Sequence, residues 1–266
     1  MNIAGRNAAL PHMSVTEAIR FFQNTGFDAL ELSPLRGQEI VLEMTEDFMI
    51  RHILSCVREQ PGFFISALSC HANYATDDFI YSVQEKLLRC AHAYGTDTVI
   101  MSTYVPYAQR ERQGKELYER LITKTRSLCR IAEEEGVQIA IEVEPNQLFR
   151  NLDTFFQVSE AVGSPALKLN FDIGHIFLTE PDMQAAIDRS KGSIVHGHID
   201  NMCRGEHCHK LPWEGDLDLP AVCQMLKDSG FDGTLALDLY IQDYAQVSPR
   251  CVQYIRRSIL DRLIGK

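Results

Sequence analysis

The sequence predicts an α/β protein that folds as a single (β/α)8 barrel, and three observations lead to this prediction. Short apolar runs rich in branched residues alternate with longer segments of helical period. They total eight strands and eight helices in 266 residues, a length that such barrels reach as one domain. The Gly-rich phosphate loop typical of an open doubly wound sheet does not follow the first strand. We therefore expect one barrel domain over residues 1–266.

The strand predictions follow the order of the chain. A short first strand is followed by runs such as "TDTVIMS" and "GVQIAIEVE", which combine branched apolar residues with turn-forming flanks. Strands that alternate with helices pair in parallel through right-handed crossovers. The predicted strands are residues 2–5, 28–33, 62–69, 96–102, 136–144, 166–172, 193–200 and 233–240.

Helical periodicity fills the intervals between these strands. The clearest helix is "SVTEAIRFFQNTG", where Ser14 and Glu17 predict a capping box and Gly26 predicts the C-terminal stop. The other well-marked helical patterns run from about 77 to 93, 108 to 135 and 248 to 264.

Composition narrows the possible partners and compartments. The chain is 45% apolar and 23% charged, and it has neither an apolar run long enough for a membrane span nor the pattern of a signal peptide. We therefore expect a cytoplasmic protein without a membrane partner. A net charge of −10 disfavours nucleic acid as the main partner. Eight cysteines without a CxxC pair indicate buried thiols rather than a structural zinc site.

Four successive late strands end in side chains that can bind a metal. By strand parity, Glu142, Asp172, His198 and Asp238 fall late in their strands, at the barrel mouth where active sites of this fold are built. One strand-end carboxylate alone is usually a solvated residue or a helix cap. Several carboxylates in a partly dry mouth repel one another unless a cation neutralises them. Three carboxylates with one imidazole favour Mn²⁺, Mg²⁺ or Co²⁺, with Zn²⁺ also possible.

Four motifs give the chain a family resemblance. "AIEVEPN" at 140–146, "NFDIGH" at 170–175, "HGHIDNMCRGEHCHKLPWEGDLDLPAV" at 196–222 and "GFDGTLALDLY" at 230–240 resemble the xylose-isomerase-like TIM-barrel superfamily. This group of sugar-phosphate isomerases and epimerases also includes endonuclease IV. The resemblance covers essentially the whole chain. Its motifs are specific for the superfamily but do not identify the substrate.

The resemblance also implies roles for individual residues. In ketose 3-epimerase relatives one metal is held by Glu, Asp, His and Glu, which here correspond to Glu142, Asp172, His198 and Asp238. The last is Asp in this chain, so its carboxylate is set back by about one C–C bond. The family's substrate-contacting His and Arg correspond to His175 and Arg204, and we expect residues 201–210 to form the loop that brings Arg204 to the substrate.

Other substrate-binding candidates have equally plausible structural roles. His71 aligns with a histidine that often lines the pocket in the superfamily, and Glu144 shares a strand face with Glu142. Glu31 ends a strand and could contact substrate or support a ligand. Trp213, the only tryptophan, could stack on a sugar or simply pack. The spacing of His207 and His209 matches no common structural zinc signature, so a second metal there is the less favoured interpretation.

The predicted chemistry is proton transfer beside a carbonyl. A divalent ion stabilises the enediolate that forms when the adjacent C–H loses its proton, and Glu142 and Asp238 could serve as the two proton-transferring groups. Epimerisation, isomerisation and dehydration all share that intermediate. We therefore expect a metal-dependent isomerase or epimerase of a small sugar, sugar phosphate or related hydroxycarbonyl.

Three alternatives remain open. They are an inosose-type dehydratase that uses the same site, a non-catalytic barrel in which Asp238 has impaired activity, and, less favoured, an endonuclease IV-like nuclease. The sequence leaves open the substrate and its phosphorylation, the identity of the metal, and whether the chain forms a homo-oligomer.

Overall fold

Eight parallel strands close into a barrel within the described residues of the computed structural model, which are 1–37, 39–105, 114–240 and 242–264. The last strand pairs with the first, so that Asn2 lies opposite Thr234 and Ala4 lies opposite Ala236. This closure confirms the predicted (β/α)8 barrel. The barrel strands are β1 (Asn2–Arg6), β2 (Ala29–Leu32), β3 (Phe64–Cys70), β4 (Thr98–Met101), β5 (Gln138–Glu142), β6 (Leu167–Asp172), β7 (Ile194–Ile199) and β8 (Thr234–Leu237).

All eight strand predictions coincide with barrel strands, although several observed strands are shorter. The predicted 136–144 narrows to β5, which ends at Glu142, and the predicted 233–240 narrows to β8, which ends at Leu237. The residues beyond these ends leave the parallel ladder, so Glu144 and Asp238 stand on loops that begin at the barrel mouth.

Helices surround the barrel in the described part of the chain. They are α1 (Val15–Thr25), α2 (Asp47–Val57), α3 (Asp78–Cys90), α4 (Lys115–Glu135), α5 (Leu152–Val162), α6 (Ile173–Thr179), α7 (Met183–Ser190), α8 (Leu219–Asp228), α9 (Tyr244–Ile255) and α10 (Asp261–Ile264).

The N-terminal cap of α1 is as predicted. The Glu17 backbone N–H donates to Ser14 Oγ at 3.3 Å, and the Ser14 N–H donates to the Glu17 carboxylate at 2.7 Å. Gly26 ends the helix at φ +88°, a conformation that favours glycine. The predicted helix start near 108 lies outside the described residues. The last predicted helix differs from the structure, because Asp243 caps α9 through the Gln246 N–H and the helix begins at Tyr244 rather than near 248.

One local prediction is wrong. The stretch 201–210 is expected as a loop, but it forms an antiparallel hairpin of Asn201–Cys203 with Glu206–Lys210, called here the histidine hairpin. Gly205 takes φ +82° in its turn, which lets the chain reverse tightly. The described residues contain no helix that is both long and apolar enough to cross a membrane.

Candidate active site

A layer of small residues sets the floor of the site. Ala4, Ala29 and Ala236 form a buried cluster inside the barrel, with Ala4 directly opposite the other two in the strand register. Side chains two residues apart on a strand share a face, so the next inward residues towards the mouth are Arg6, Glu31 and Asp238. A layer of large, charged side chains therefore lies next to the alanine layer, on the side of the barrel mouth.

The four side chains predicted to hold a metal converge in that charged layer. His198 Nδ1 lies 2.9 Å from Glu142 Oε1, 3.5 Å from Asp172 Oδ2 and 3.6 Å from Asp238 Oδ2. Each side chain offers one donor atom, and these four atoms lie within 4.8 Å of one another. We call this set the carboxylate cluster. It is fully buried, with exposures from 0% for His198 to 4% for Glu142.

The donor atoms of the carboxylate cluster fit a divalent cation. The Asp172 Oδ1 atom accepts a 2.7 Å hydrogen bond from the His175 backbone N–H at the start of α6. Its Oδ2 atom is buried without a hydrogen-bond donor among the described residues, although it faces the other donors of the cluster. A buried carboxylate oxygen in that position is satisfied by a cation. Three oxygens and one nitrogen suit Mn²⁺, Mg²⁺ or Co²⁺.

The opposite side of the His198 ring is held by Glu31. The Nε2–H donates to Glu31 Oε2 at 2.8 Å, which directs Nδ1 towards the other three cluster residues. A carboxylate behind a metal-binding histidine fixes the ring orientation and raises its basicity. The sequence suggests that Glu31 either contacts substrate or supports a metal ligand, and its contact with His198 is the one expected for supporting a ligand.

Buried charges shift the acidities of the cluster. Burial alone would raise the pKa of Glu142, but the charges of His71 and His198 outweigh it and hold the pKa well below its usual value. Burial likewise opposes ionisation of Asp172, yet electrostatic attraction to the His175 ring lowers its pKa to about 2. Burial and the charge of Glu142 raise the pKa of Glu144 to about 8. Glu142 and Asp172 are thus anionic at neutral pH, whereas Glu144 is mostly protonated.

Arg6 is a central site residue that the sequence interpretation missed. It is 1% exposed at the end of β1, where it forms an ion pair with Asp238, contacts Glu31 at 3.1 Å and donates to the Tyr240 hydroxyl at 2.9 Å. The available signal was its place as the last residue of the first strand, in phase with Ala4. One Asp238 oxygen is thereby engaged by Arg6, while the other faces His198.

A cavity of about 840 Å³ opens onto this layer. Glu142, Asp238 and three of the predicted substrate-binding residues, His71, Glu144 and His175, line its inner end. The outer wall is largely apolar and includes Leu10, Met13, Leu35, Leu239 and Tyr244.

The structure does not bring Arg204 and Trp213 to this cavity. The Arg204 guanidinium donates to the backbone carbonyl oxygens of Phe177 and Glu180, and it stacks 3.6 Å above the Phe177 ring. The Trp213 ring packs against the Tyr254 ring and under Arg250. Both side chains contact helices beside the barrel, and for Trp213 this packing is the structural alternative to stacking on a sugar.

The histidine hairpin contributes two further cavity residues, His207 and His209. Their ring nitrogens lie close to His175 and to each other, and Asp200 contacts His209. Sequence spacing alone could not reveal this cluster, because its third member stands on α6, about thirty positions earlier in the chain.

Comparison with known proteins places the chain in a family. The family model described as "Xylose isomerase-like TIM barrel" matches residues 19–253, so the chain belongs to that family. It is 22% identical over 204 residues to a 3-dehydroshikimate dehydratase of Bacillus anthracis, covering 74% of this chain and 70% of the relative. It is also 22% identical over 233 residues to the L-ribulose-5-phosphate 3-epimerase UlaE of Shigella flexneri serotype 5b, covering 84% and 81%.

Solved structures share the whole fold. The IOLI protein, described with a binding zinc atom, superposes with a TM-score of 0.78 at 18% identity and covers 99% of this chain and 98% of its own. A xylose isomerase-like TIM barrel protein from Mycobacterium smegmatis in complex with magnesium gives 0.79 at 16% identity, with 98% and 97% covered. At these identities the likeness shows the fold alone.

Proposed function

We propose that this xylose isomerase-like barrel is a divalent-metal-dependent isomerase or epimerase that moves a proton beside the carbonyl group of a small carbohydrate. The observation that supports this best is the convergence of Glu142, Asp172, His198 and Asp238, two of which, Glu142 and Asp238, line a large cavity. A cation that stabilises the developing enediolate and well-placed bases in one dry site both favour proton abstraction next to a carbonyl.

The carboxylate cluster would hold the cation. When bound, a divalent ion polarises a carbonyl group and stabilises the negative charge that develops on its oxygen. The relatives and neighbours support such an ion, since one solved neighbour is described with zinc and another with magnesium.

Glu142 and Asp238 are the proposed proton carriers. They approach His198 Nδ1 from β5 and from the end of β8, and both line the cavity. His71 Nδ1 lies 2.6 Å from Glu142 Oε2 and keeps that carboxylate charged, so Glu142 can accept a proton. The ion pair with Arg6 on β1 fixes the position of the Asp238 carboxylate, whose side chain is shorter than the Glu of the ketose 3-epimerase relatives.

A dehydratase is the second candidate, and Glu144 is the observation that favours it. This buried carboxyl group lines the cavity, and in the metal-free chain burial and the charge of Glu142 raise its pKa to about 8. A protonated acid beside the substrate can donate to a departing hydroxyl group. The similarity to a 3-dehydroshikimate dehydratase supports the same alternative.

Hydrogen exchange in D₂O tests the proposal. The chain loaded with Mn²⁺ is incubated with ketoses, sugar phosphates and cyclic hydroxyketones, and substrate C–H exchange is followed by NMR. We expect deuterium at one carbon next to a carbonyl of an accepted compound, with no exchange by Glu142→Gln. Change of configuration, transfer of the carbonyl and loss of water then distinguish epimerase, isomerase and dehydratase. No exchange with any of these compounds by a chain shown to contain metal would contradict the proposal.

A further inference from the structure

Three imidazole rings meet at the cavity wall beside the carboxylate cluster. The His207 Nε2 atom lies 2.9 Å from His175 Nε2 and 2.9 Å from His209 Nε2. The ligand atoms of all three rings lie within 4.8 Å of one another. We call this set the histidine cluster. Two of its rings are buried, and His207 is exposed towards the cavity.

The surroundings fix the proton positions on two of these rings. His175 Nδ1 lies 3.1 Å from the Val143 carbonyl oxygen, an acceptor only, so this nitrogen carries a proton. His209 Nδ1 lies 2.7 Å from Asp200 Oδ2, which likewise requires a proton on that nitrogen. In their neutral forms, His175 and His209 therefore present unprotonated Nε2 atoms to His207.

Protons alone cannot satisfy the resulting contacts. If His207 Nε2 carries a proton, it can donate to only one neighbour, and the Nε2 lone pair of the other neighbour, also 2.9 Å away, is left without a donor. A second proton on His209 would let its Nε2 donate to His207, but His207 and His175 would then still be opposed. One cation between the rings satisfies all three lone pairs at once, because imidazole nitrogens are common metal ligands.

From these contacts the geometry points to a second metal site, in which His175, His207 and His209 bind one zinc ion with a fourth position open to the cavity. Tetrahedral zinc with Zn–N bonds of about 2.0–2.1 Å separates its ligands by roughly 3.3 Å. The observed 2.9 Å contacts need only a small expansion to reach that value. An all-nitrogen set favours Zn²⁺ over Mg²⁺, which prefers oxygen.

The supporting contacts have the arrangement that zinc sites use. Histidine ligands usually donate their other N–H to a carboxylate or a backbone carbonyl; His175 has the Val143 carbonyl oxygen in this position, and His209 forms an ion pair with Asp200 there. Gly174 leaves room for this arrangement, since a Cβ there would lie 2.3 Å from Asp200 Oδ1. His209 has φ +36°, an uncommon backbone conformation for a side chain of its size, which the hairpin imposes while aiming the ring inwards.

Metal stoichiometry tests the second site without measuring activity. The metal-free chain is titrated with Zn²⁺ and, separately, with Mg²⁺ by isothermal titration calorimetry, and bound metal is counted by mass spectrometry of the native protein. We expect two equivalents of Zn²⁺ and one of Mg²⁺. His207→Ala should retain one equivalent of Zn²⁺, and Asp200→Asn should bind the second equivalent roughly 10–100-fold more weakly.

The matched control is His12→Ala, because His12 is an exposed histidine on the same cavity that lies outside the cluster. It should keep both equivalents. One equivalent of Zn²⁺ in the wild type, or two in His207→Ala, would overturn the second site. The outcome is separate from the proposed function: C–H exchange supported by Mg²⁺ alone tests the carboxylate cluster, whereas the second zinc equivalent tests the histidine cluster.

Discussion

The carboxylate cluster and the histidine cluster share one barrel mouth but are built differently. The first stands at or just beyond the ends of strands whose register places Asp172 opposite His198. The second combines α6 with a hairpin that follows β7. Strand register fixes hard oxygen donors rigidly, whereas a hairpin adds nitrogen donors from outside the ladder. Two metal-binding chemistries can therefore adjoin in one cavity without sharing a ligand.

Asp172→Asn is the change that should separate the two clusters most strongly. The amide removes the charge of the buried Oδ2 position while keeping the cap of α6. We expect divalent-metal affinity at the carboxylate cluster to fall by more than ~100-fold. Loss of a residue that only hydrogen-bonds to a metal ligand typically lowers affinity by roughly 10–100-fold, and Asp172 is itself a proposed ligand. C–H exchange should disappear while the second Zn²⁺ equivalent remains in calorimetry. An equal loss at both sites would show that they are not independent.

Arg6→Met should have the next largest effect, on stability. It leaves the buried Glu31 and Asp238 carboxylates without their cation, and breaking such a buried pair costs about 3–5 kcal/mol. Urea unfolding of the metal-free chain measures this loss, and added Mg²⁺ should restore part of it. The control Arg20→Met removes an exposed pair with Glu59 and should leave the unfolding midpoint unchanged. Similar midpoints for Arg6→Met and wild type would contradict the charge balance inferred here.

Glu31→Gln gives a smaller and more selective effect. It weakens the hydrogen bond that orients His198, so metal affinity at the carboxylate cluster should fall by roughly 10–100-fold. It is the counterpart of Asp200→Asn, and each variant should affect only its own cluster in the Zn²⁺ titration. If Glu31→Gln also weakened Zn²⁺ binding at the histidine cluster, the effects of Glu31 on His198 and of Asp200 on His209 would not be independent.

Arg204→Ala should have the smallest effect. The guanidinium stacks on Phe177 at the surface, a contact that is worth about 0.5–1 kcal/mol. We expect that modest loss of unfolding free energy and an unchanged KM for the substrate identified by exchange. A raised KM with unchanged stability would instead restore the substrate-binding role predicted from the sequence.

The carboxylate cluster was predictable because strand alternation is a local property of the sequence and because four motifs resemble a known family. Parity places Glu142, Asp172 and His198 on polar strand faces at the barrel mouth, and the resemblance distinguishes Glu142 from Glu144 and His198 from His196. His196 follows the same rule one layer deeper, where it contacts Asn170 at 2.9 Å. The eight strands were predictable for the same reason.

The remaining site depends on contacts between distant segments. Arg6 acquires its role only when β8 closes against β1 and brings Asp238 to it. The hairpin's direction depends on tertiary contacts, which turn Arg204 towards α6 and His207 towards His175. Residue type and spacing cannot specify such pairings, so Arg204 was assigned to substrate and the histidine cluster was not favoured.

The position of a bound ion tests the central claim most directly. Crystals of the chain saturated with Mn²⁺ as the only divalent metal give an anomalous difference map that locates the ion. We expect one strong peak bonded to Glu142, Asp172, His198 and Asp238. No peak among these four side chains at full Mn²⁺ saturation, or a peak elsewhere in the cavity instead, would contradict it.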